Sequence, residues 1–156
     1  NEFFEFSKIN DQFILLILGE GEKKSEIQRL IKKRGIEDKV FLLGYKKNIY
    51  SYMHKSSIFV LSSLWEEVGF VIVEAALCNS FIISSNCPNG PKEFLDNGKR
   101  GIIFESNQSK ALLNSLKNFS KMGENKIYEN KVRLKKEAKK YTIFKHYLKL
   151  NKILEL

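Results

Sequence analysis

The chain has 156 residues and a formal net charge of +9, with 43% hydrophobic and 29% charged residues. This composition is typical of a soluble globular domain with enough chain to bury a sizeable core. No apolar stretch approaches the length of about 20 residues that a membrane-spanning helix needs. The sequence also contains no low-complexity segment and no internal repeat, which excludes fibrous and solenoid architectures.

Short apolar runs alternate with helical patterns after residues 1–12, which resemble the end of a helix. Strands that alternate with helices predict parallel pairing, because each parallel strand needs a crossover connection. The sequence therefore predicts an α/β fold with a doubly wound parallel sheet. Its predicted elements are strand Phe13–Leu18, helix Lys23–Lys33, strand Val40–Leu43, a short helix around Tyr50 to Met53, strand Ile58–Leu61, a helix starting near Gly69, strand Phe81–Ile83, a helix from Pro91 to Gly98 and strand Arg100–Phe104.

Two carboxylates stand out in the middle of this pattern. Glu66 lies in the turn after strand Ile58–Leu61, at the carboxyl end where open α/β sheets bind ligands. Glu74 follows eight positions later in an otherwise apolar helix, about two turns along. Between them, Gly69 would let a phosphate approach the N–H groups at the helix start. This arrangement suits a nucleotide diphosphate that carries a sugar, and two ordinary surface charges are the alternative.

No pattern of metal ligands is visible in the sequence. The two cysteines, Cys78 and Cys87, and the two histidines, His54 and His146, lie in different elements without metal-binding spacing. We therefore expect no metal and no cofactor. The thiols are expected to be reduced, as in cytoplasmic proteins, and a redox pair is the alternative.

The excess positive charge lies in residues 110–156. This segment has 13 Lys and Arg against 4 Glu, whereas residues 1–109 have 14 basic and 14 acidic side chains. We interpret it as a basic helical tail of the same domain, with helices Ala111–Phe119, Lys126–Lys140 and Tyr141–Leu154. Such a face is most often solvated, and contact with anionic lipid is the alternative. Nucleic-acid binding is not expected, because the sequence shows no nucleic-acid motif.

The residues from Trp65 to Phe104 read WEEVGFVIVEAALCNSFIISSNCPNGPKEFLDNGKRGIIF. They resemble the donor-binding segment of glycosyltransferase family four, the retaining group 1 enzymes of GT-B fold. The family signature is a Glu, seven residues and a second Glu, which Glu66 and Glu74 match, and NCPNGPKE is similar to a version in bacterial surface-glycan transferases. The resemblance covers residues 12–105. It implies a Rossmann-like C-terminal half of a GT-B fold, without the strand, glycine-rich loop and helix with a phosphate-binding Arg and Lys that precede it in the family.

The same resemblance implies a role for each site residue. Glu66 would contact the donor sugar as the catalytic carboxylate. The implied nucleotide-binding residues are Glu74 for the ribose hydroxyls, the backbone of Gly69, Phe70 and Val71 for the pyrophosphate, and Gly44, Tyr45 and Lys46 beside the base.

Three positions depart from the family pattern. Glu67 stands where Gly usually follows the first Glu, so it competes for the same role and the sugar end of the pocket is expected to differ. Asn79 replaces Gly after the helix, which is tolerable because Asn adopts the left-handed conformation more readily than other side chains. Phe81 stands where Pro is usual.

The resemblance therefore predicts the donor-binding domain of a retaining glycosyltransferase. It would move a hexosyl or acetylhexosaminyl group from a UDP-linked nucleotide-sugar to a glycan or lipid-linked acceptor in bacterial surface polysaccharide synthesis. The acceptor would need the N-terminal domain, so we expect the isolated chain to be inactive. We expect a cytoplasmic protein, and a peripheral position at the inner face of the membrane is the alternative to a free one. The alternatives are a sugar-nucleotide epimerase and a non-enzymatic basic module that binds a membrane surface or nucleic acid.

Overall fold

The computed structural model describes residues 1–154, in which short strands alternate with helices. A 3-10 turn at Lys139–Tyr141 joins the last two helices. The helices and strands, in chain order, are α1 (Glu2–Ser7), β1 (Leu15–Leu18), α2 (Lys24–Arg34), β2 (Val40–Gly44), α3 (Ile49–Lys55), β3 (Ile58–Leu61), α4 (Phe70–Leu77), β4 (Phe81–Ser85), α5 (Pro91–Phe94), β5 (Ile102–Phe104), α6 (Ala111–Ser120), α7 (Glu124–Ala138) and α8 (Ile143–Leu154).

All strand pairing within residues 1–154 is parallel, which confirms the predicted α/β class. The hydrogen bonds divide the strands between two sheets, β1–β2 and β3–β4–β5, where the sequence predicts one. The division has a simple geometric reading. In the Rossmann order 3-2-1-4-5-6, the first strand lies between the second and the fourth. The sheets β1–β2 and β3–β4–β5 are each compatible with neighbouring strands of that order.

Helices cover both faces of the three-stranded sheet, as a doubly wound fold requires. Successive residues of a strand point to opposite faces. Accordingly, Ile82 of β4 packs with α4 and α7, whereas Phe81 and Ile83 pack with α1 and α6. All five residues of β4 are buried. This central strand therefore forms the middle of the hydrophobic core.

The predicted boundaries agree with the structure to within two residues except at the end of α5. Strand β1 begins at Leu15 rather than Phe13, because the Phe13 ring turns into a cluster of aromatic side chains, 5.4 Å from the ring centroid of Phe6. Helix α5 ends at Phe94 instead of continuing to Gly98. Asp96 and Asn97 adopt positive φ angles of 49° and 53°, which no α-helix accommodates.

The basic segment divides into a buried part and an exposed part. Leu116 and Phe119 of α6 and Leu134 of α7 are buried, so these two helices belong to the core. Helix α8 has no buried residue, and Ile143 is 89% exposed. No helix within residues 1–154 combines the length and apolarity needed to cross a bilayer. The predicted tail runs to residue 156, and its last two residues lie outside the described part.

Candidate functional site

The first carboxylate is held by two serines at the carboxyl ends of β3 and β4. Glu66 is half-buried, and its Oε1 accepts a hydrogen bond from the Ser63 hydroxyl at 2.6 Å. The Ser63 carbonyl in turn accepts a hydrogen bond from the Ser85 hydroxyl, also at 2.6 Å. Since Ser85 is buried at the end of β4, these hydrogen bonds link Glu66 to the most deeply buried strand of the sheet.

Helix α4 begins at Phe70, directly after the left-handed Gly69. The φ angle of Gly69 is +67°, a conformation that side chains with a Cβ rarely adopt. Phe70 and Val71 lie in the first turn, where backbone N–H groups have no acceptor within the helix. These amides and the positive end of the helix dipole form a suitable binding surface for an anion.

The loop that carries Glu66 rests on the loop after β4. A Cβ at Gly90 would lie 2.1 Å from the carbonyl oxygen of Val68, so only glycine allows the two backbones to approach this closely. A Cβ at Gly69 would lie 3.6 Å from the ring of Pro91 and 3.9 Å from the Cβ of Glu66. The contact with the second loop therefore fixes the start of α4.

The second carboxylate lies on α4 and faces α3. Glu74 is the fifth residue of α4, so it lies about 6 Å along the axis from Phe70, one turn rather than the predicted two. It is half-buried between Val73 and Ala75, which are buried. The hydroxyl of Tyr50 donates a hydrogen bond to Glu74 Oε1 at 3.3 Å. The negative charge of Glu74 is the main cause that raises the pKa of Tyr50.

The loop Gly44–Lys46 lies at the carboxyl end of β2, shortly before α3. The Gly19 amide donates a hydrogen bond to the Gly44 carbonyl at 2.9 Å, which joins the loops after β1 and β2. Tyr45 is 71% exposed. The pKa of Glu20 is lowered by its hydrogen bond with the Lys24 ammonium, by the charge of Lys24 and by the Tyr45 backbone. Helix α3 follows this loop and carries Tyr50, whose hydroxyl contacts Glu74.

Glu67 is exposed and does not share the position of Glu66. It lines a separate cavity of ≈ 310 Å³ together with Glu93 and Tyr141. Burial is the first cause that raises the pKa of Tyr141, and the charge of Glu93 adds to it. The structure thus distinguishes the two adjacent carboxylates, because Glu66 accepts a hydrogen bond from Ser63 whereas Glu67 lines the cavity that contains Tyr141.

Residues 3–141 match the family model described as glycosyl transferases group 1. The chain belongs to this family. A curated relative, N-acetylgalactosamine-N,N'-diacetylbacillosaminyl-diphospho-undecaprenol 4-alpha-N-acetylgalactosaminyltransferase of Campylobacter jejuni, is 29% identical over 85% of this chain and 37% of its own length. The chain spans about a fifth to two fifths of the length of the curated relatives it matches.

Solved structures show the same fold for this group 1 glycosyl transferase chain. The crystal structure of HepE from Anabaena in complex with UDP aligns with a TM-score of 0.86 at 19% identity, over 99% of this chain and 44% of that one. The C-terminal domain of a group 1 glycosyl transferase from Francisella tularensis aligns with a TM-score of 0.77 at 19% identity, over 91% of this chain and 78% of that one.

Several side chains that organise the site in this group 1 glycosyl transferase chain were not identified from sequence. Ser63 and Ser85 interrupt or end apolar runs, and such a pattern does not reveal which carboxylate they hold. Asn89–Gly90 is a recognisable turn dipeptide, so the sequence did carry a signal for Gly90. No local sequence pattern indicates that Tyr50 contacts Glu74, because the two residues are 24 positions apart.

The backbone amides at the start of α4 can bind an anion, and this needs no metal ion. Within residues 1–154, no group of three or more His, Cys, Asp or Glu side chains is placed to hold a metal ion. The structure places Glu66 and Gly69 side by side and puts Glu74 on the helix that Gly69 precedes. Gly44–Lys46 lies on the adjoining sheet. Their individual roles in binding stay predictions.

Proposed function

We propose that this chain is the donor-binding part of a retaining glycosyltransferase. The observation that carries the proposal is the placement of Glu66 and Glu74 on either side of the Gly69 turn, each with a hydrogen-bonding partner. Glu74 would accept hydrogen bonds from the ribose hydroxyls, and Glu66 would contact the sugar. The amides of Phe70 and Val71 would bind the pyrophosphate and stabilise the charge that develops on the leaving diphosphate.

The donor is a UDP-linked hexose or acetylhexosamine in this proposal, and the acceptor is a glycan or lipid-linked glycan. The name of the Campylobacter relative describes an N-acetylgalactosaminyltransferase acting on a diphospho-undecaprenol acceptor, and the Anabaena structure holds UDP. Both support the choice of donor. We extend the proposal to bacterial surface polysaccharide synthesis in the cytoplasm, at the inner face of the membrane. The chain alone should bind nucleotide weakly and transfer no sugar.

Replacing each carboxylate separately tests the proposal. Glu74→Gln should weaken binding of UDP and of the UDP-sugar alike, because each lost charge-assisted hydrogen bond costs about 1.5–3 kcal/mol. Glu66→Gln should leave UDP binding nearly unchanged and lower turnover when the chain is joined to an acceptor-binding domain. Glu67→Gln is the matched control, with a milder effect on turnover. Calorimetric titration measures the binding, and normal UDP binding by Glu74→Gln would refute the site.

Helix α8 is our proposed contact with the membrane surface. Ile143, Phe144 and Ile153 are 89%, 65% and 76% exposed, and lysines alternate with them along the helix. An amphipathic basic helix binds bilayers that carry anionic lipid. We expect the chain to sediment with vesicles containing phosphatidylglycerol and not with purely zwitterionic vesicles. Replacing Phe144 and Ile153 by Ser should abolish the sedimentation, and equal sedimentation of this variant would refute the contact.

A further inference from the structure

Tyr50 is the side chain that joins α3 to the carboxylate of Glu74. It is the second residue of α3, is 51% exposed, and its hydroxyl lies 3.3 Å from Glu74 Oε1. The raised pKa of Tyr50, caused first by the charge of Glu74, indicates the same pairing of a neutral donor with a carboxylate. No role for this tyrosine follows from the Glu-x7-Glu signature.

The hydrogen bond from Tyr50 is not needed to fasten α3 to its neighbours. Met53 of the same helix is buried in the core cluster that contains α4. The hydroxyl of Ser80 donates to the Met53 carbonyl, and His54 Nδ1 lies 3.2 Å from the Cys78 carbonyl oxygen. These contacts already hold α3 against α4 and the start of β4. An additional exposed hydrogen bond therefore contributes little to folding stability.

The bond does restrict the carboxylate of Glu74. An ionised carboxylate can accept about four hydrogen bonds through its two oxygens. Tyr50 occupies one position on Oε1, which favours one rotation of the group and leaves Oε2 available for further donors. A fixed acceptor binds a pair of adjacent hydroxyls better than a rotating one, because less conformational freedom is lost on binding.

We propose that Tyr50 is a positioning residue of the nucleotide site, which orients the Glu74 carboxylate toward the ribose hydroxyls of a nucleoside diphosphate. This inference rests on the proposed function. The inference goes beyond the proposed function because it assigns a contribution to nucleotide binding to a residue on α3. It predicts that the contribution of Tyr50 depends on both Glu74 and the ribose hydroxyls.

The test uses Tyr50→Phe in the whole chain, with UDP and its 2′,3′-dideoxy analogue as ligands. NMR titration can measure dissociation constants in the millimolar range, so weak binding of UDP by the chain is measurable. We expect Tyr50→Phe to weaken UDP binding about two- to fivefold, the loss of one modest hydrogen-bond contribution. Binding of the dideoxy analogue and the thermal unfolding midpoint should not change. Tyr52→Phe, two residues along the same helix and on a different side, is the matched control.

Combining the variant with Glu74→Gln separates the two proposals. If Tyr50 acts through Glu74, Tyr50→Phe should have no further effect on UDP binding in the Glu74→Gln background. Unchanged UDP affinity in Tyr50→Phe, or equal weakening of both ligands, would overturn the inference while leaving the effect of Glu74→Gln intact. Normal UDP binding by Glu74→Gln, or no nucleotide binding by the parent chain, would overturn the proposed function and this inference with it.

Discussion

The two sheets differ in one respect: only the three-stranded sheet contains a fully buried strand. Every residue of β4 is buried, and its flanking clusters contain side chains from α1, α4, α6 and α7. In contrast, all four residues of β1 are only half-buried, and β2 has a single buried residue, Val40. Strand β4 therefore forms the centre of the hydrophobic core. Its neighbours β3 and β5 have one buried residue and none, which is similar to β2 and β1.

The residues of the candidate site come from both sheets. The carboxylate loop with Glu66 and the start of α4 rest on β4 through Ser85 and Gly90. The loop Gly44–Lys46 rests on β2, next to the exposed Glu20 and Lys24. The groups proposed to bind the pyrophosphate and the sugar are thus supported by the buried strand β4. The loop predicted to lie beside the base is held by the backbone hydrogen bond from Gly19 to Gly44 and by these surface side chains of Glu20 and Lys24.

Truncating one isoleucine in each sheet should give the largest difference. Ile83→Ala removes a fully buried side chain from β4 and should lower the free energy of unfolding by about 3–4 kcal/mol. Ile17→Ala in the half-buried β1 should cost only about 1–2 kcal/mol, because less apolar area leaves contact. Urea denaturation measures both values. Equal losses would mean that β1 is as well packed as β4.

A methyl group at Gly90 should affect the loops of the central sheet. In Gly90→Ala the new Cβ would meet the Val68 carbonyl at 2.1 Å, and φ is +71°. Backbone displacement and strain should cost about 2–3 kcal/mol of stability. They should also shift the amide NMR signals of Val68 to Val71.

Gly21→Ala is the matched control for this change. A Cβ at Gly21, in the loop after β1, meets nothing within 4 Å. We expect a change of less than about 0.5 kcal/mol there. If both substitutions had the same effect, the close approach of the Val68 and Gly90 backbones would not be a constraint on the site.

The order and type of the elements follow from the sequence because hydrophobic periodicity is local information. Ile58–Leu61 is predicted with the bounds that the structure has, and the starts of β4 and α6 agree as well. The division into two sheets could not be predicted, since a continuous apolar run such as Phe13–Leu18 does not reveal whether both of its edges are paired. That property depends on neighbours distant in the sequence.

The site was predictable only in part, for the same reason. The spacing of Glu66 and Glu74 matches the family signature. Gly69 indicates a left-handed backbone conformation, which a single glycine is enough to predict. The contacts of Ser63 with Ser85, of Tyr50 with Glu74 and of Val68 with Gly90 join residues 22 to 24 positions apart. No local pattern encodes such pairs, so they appear only when the fold brings the elements together.

The smallest expected effect concerns the surface contacts that hold the β2 loop. The hydrogen bond from Lys24 is the main cause that lowers the pKa of Glu20 below its usual 4.5. A carboxyl whose pKa is lowered on folding stabilises the fold above its unfolded pKa, and this contribution disappears as the pH falls through the folded value. Lys24→Met should therefore raise the pKa of Glu20 and reduce the loss of stability between neutral and acidic pH. Because Glu20 is exposed and screened by solvent, the effect on stability should be slight.

The NMR titration of the Glu20 carboxyl carbon measures this change directly. Lys32→Met, an equivalent substitution at an exposed position near the end of α2, should leave the Glu20 pKa unchanged and serves as the control. Salt should reduce the difference between Lys24→Met and the parent chain, since exposed charges are screened. A Glu20 pKa that does not move in Lys24→Met would show that the Tyr45 backbone, and not Lys24, fixes this carboxylate. The β2 loop would then be held by its own backbone, and the contrast between the two sheets would be weaker than their burial indicates.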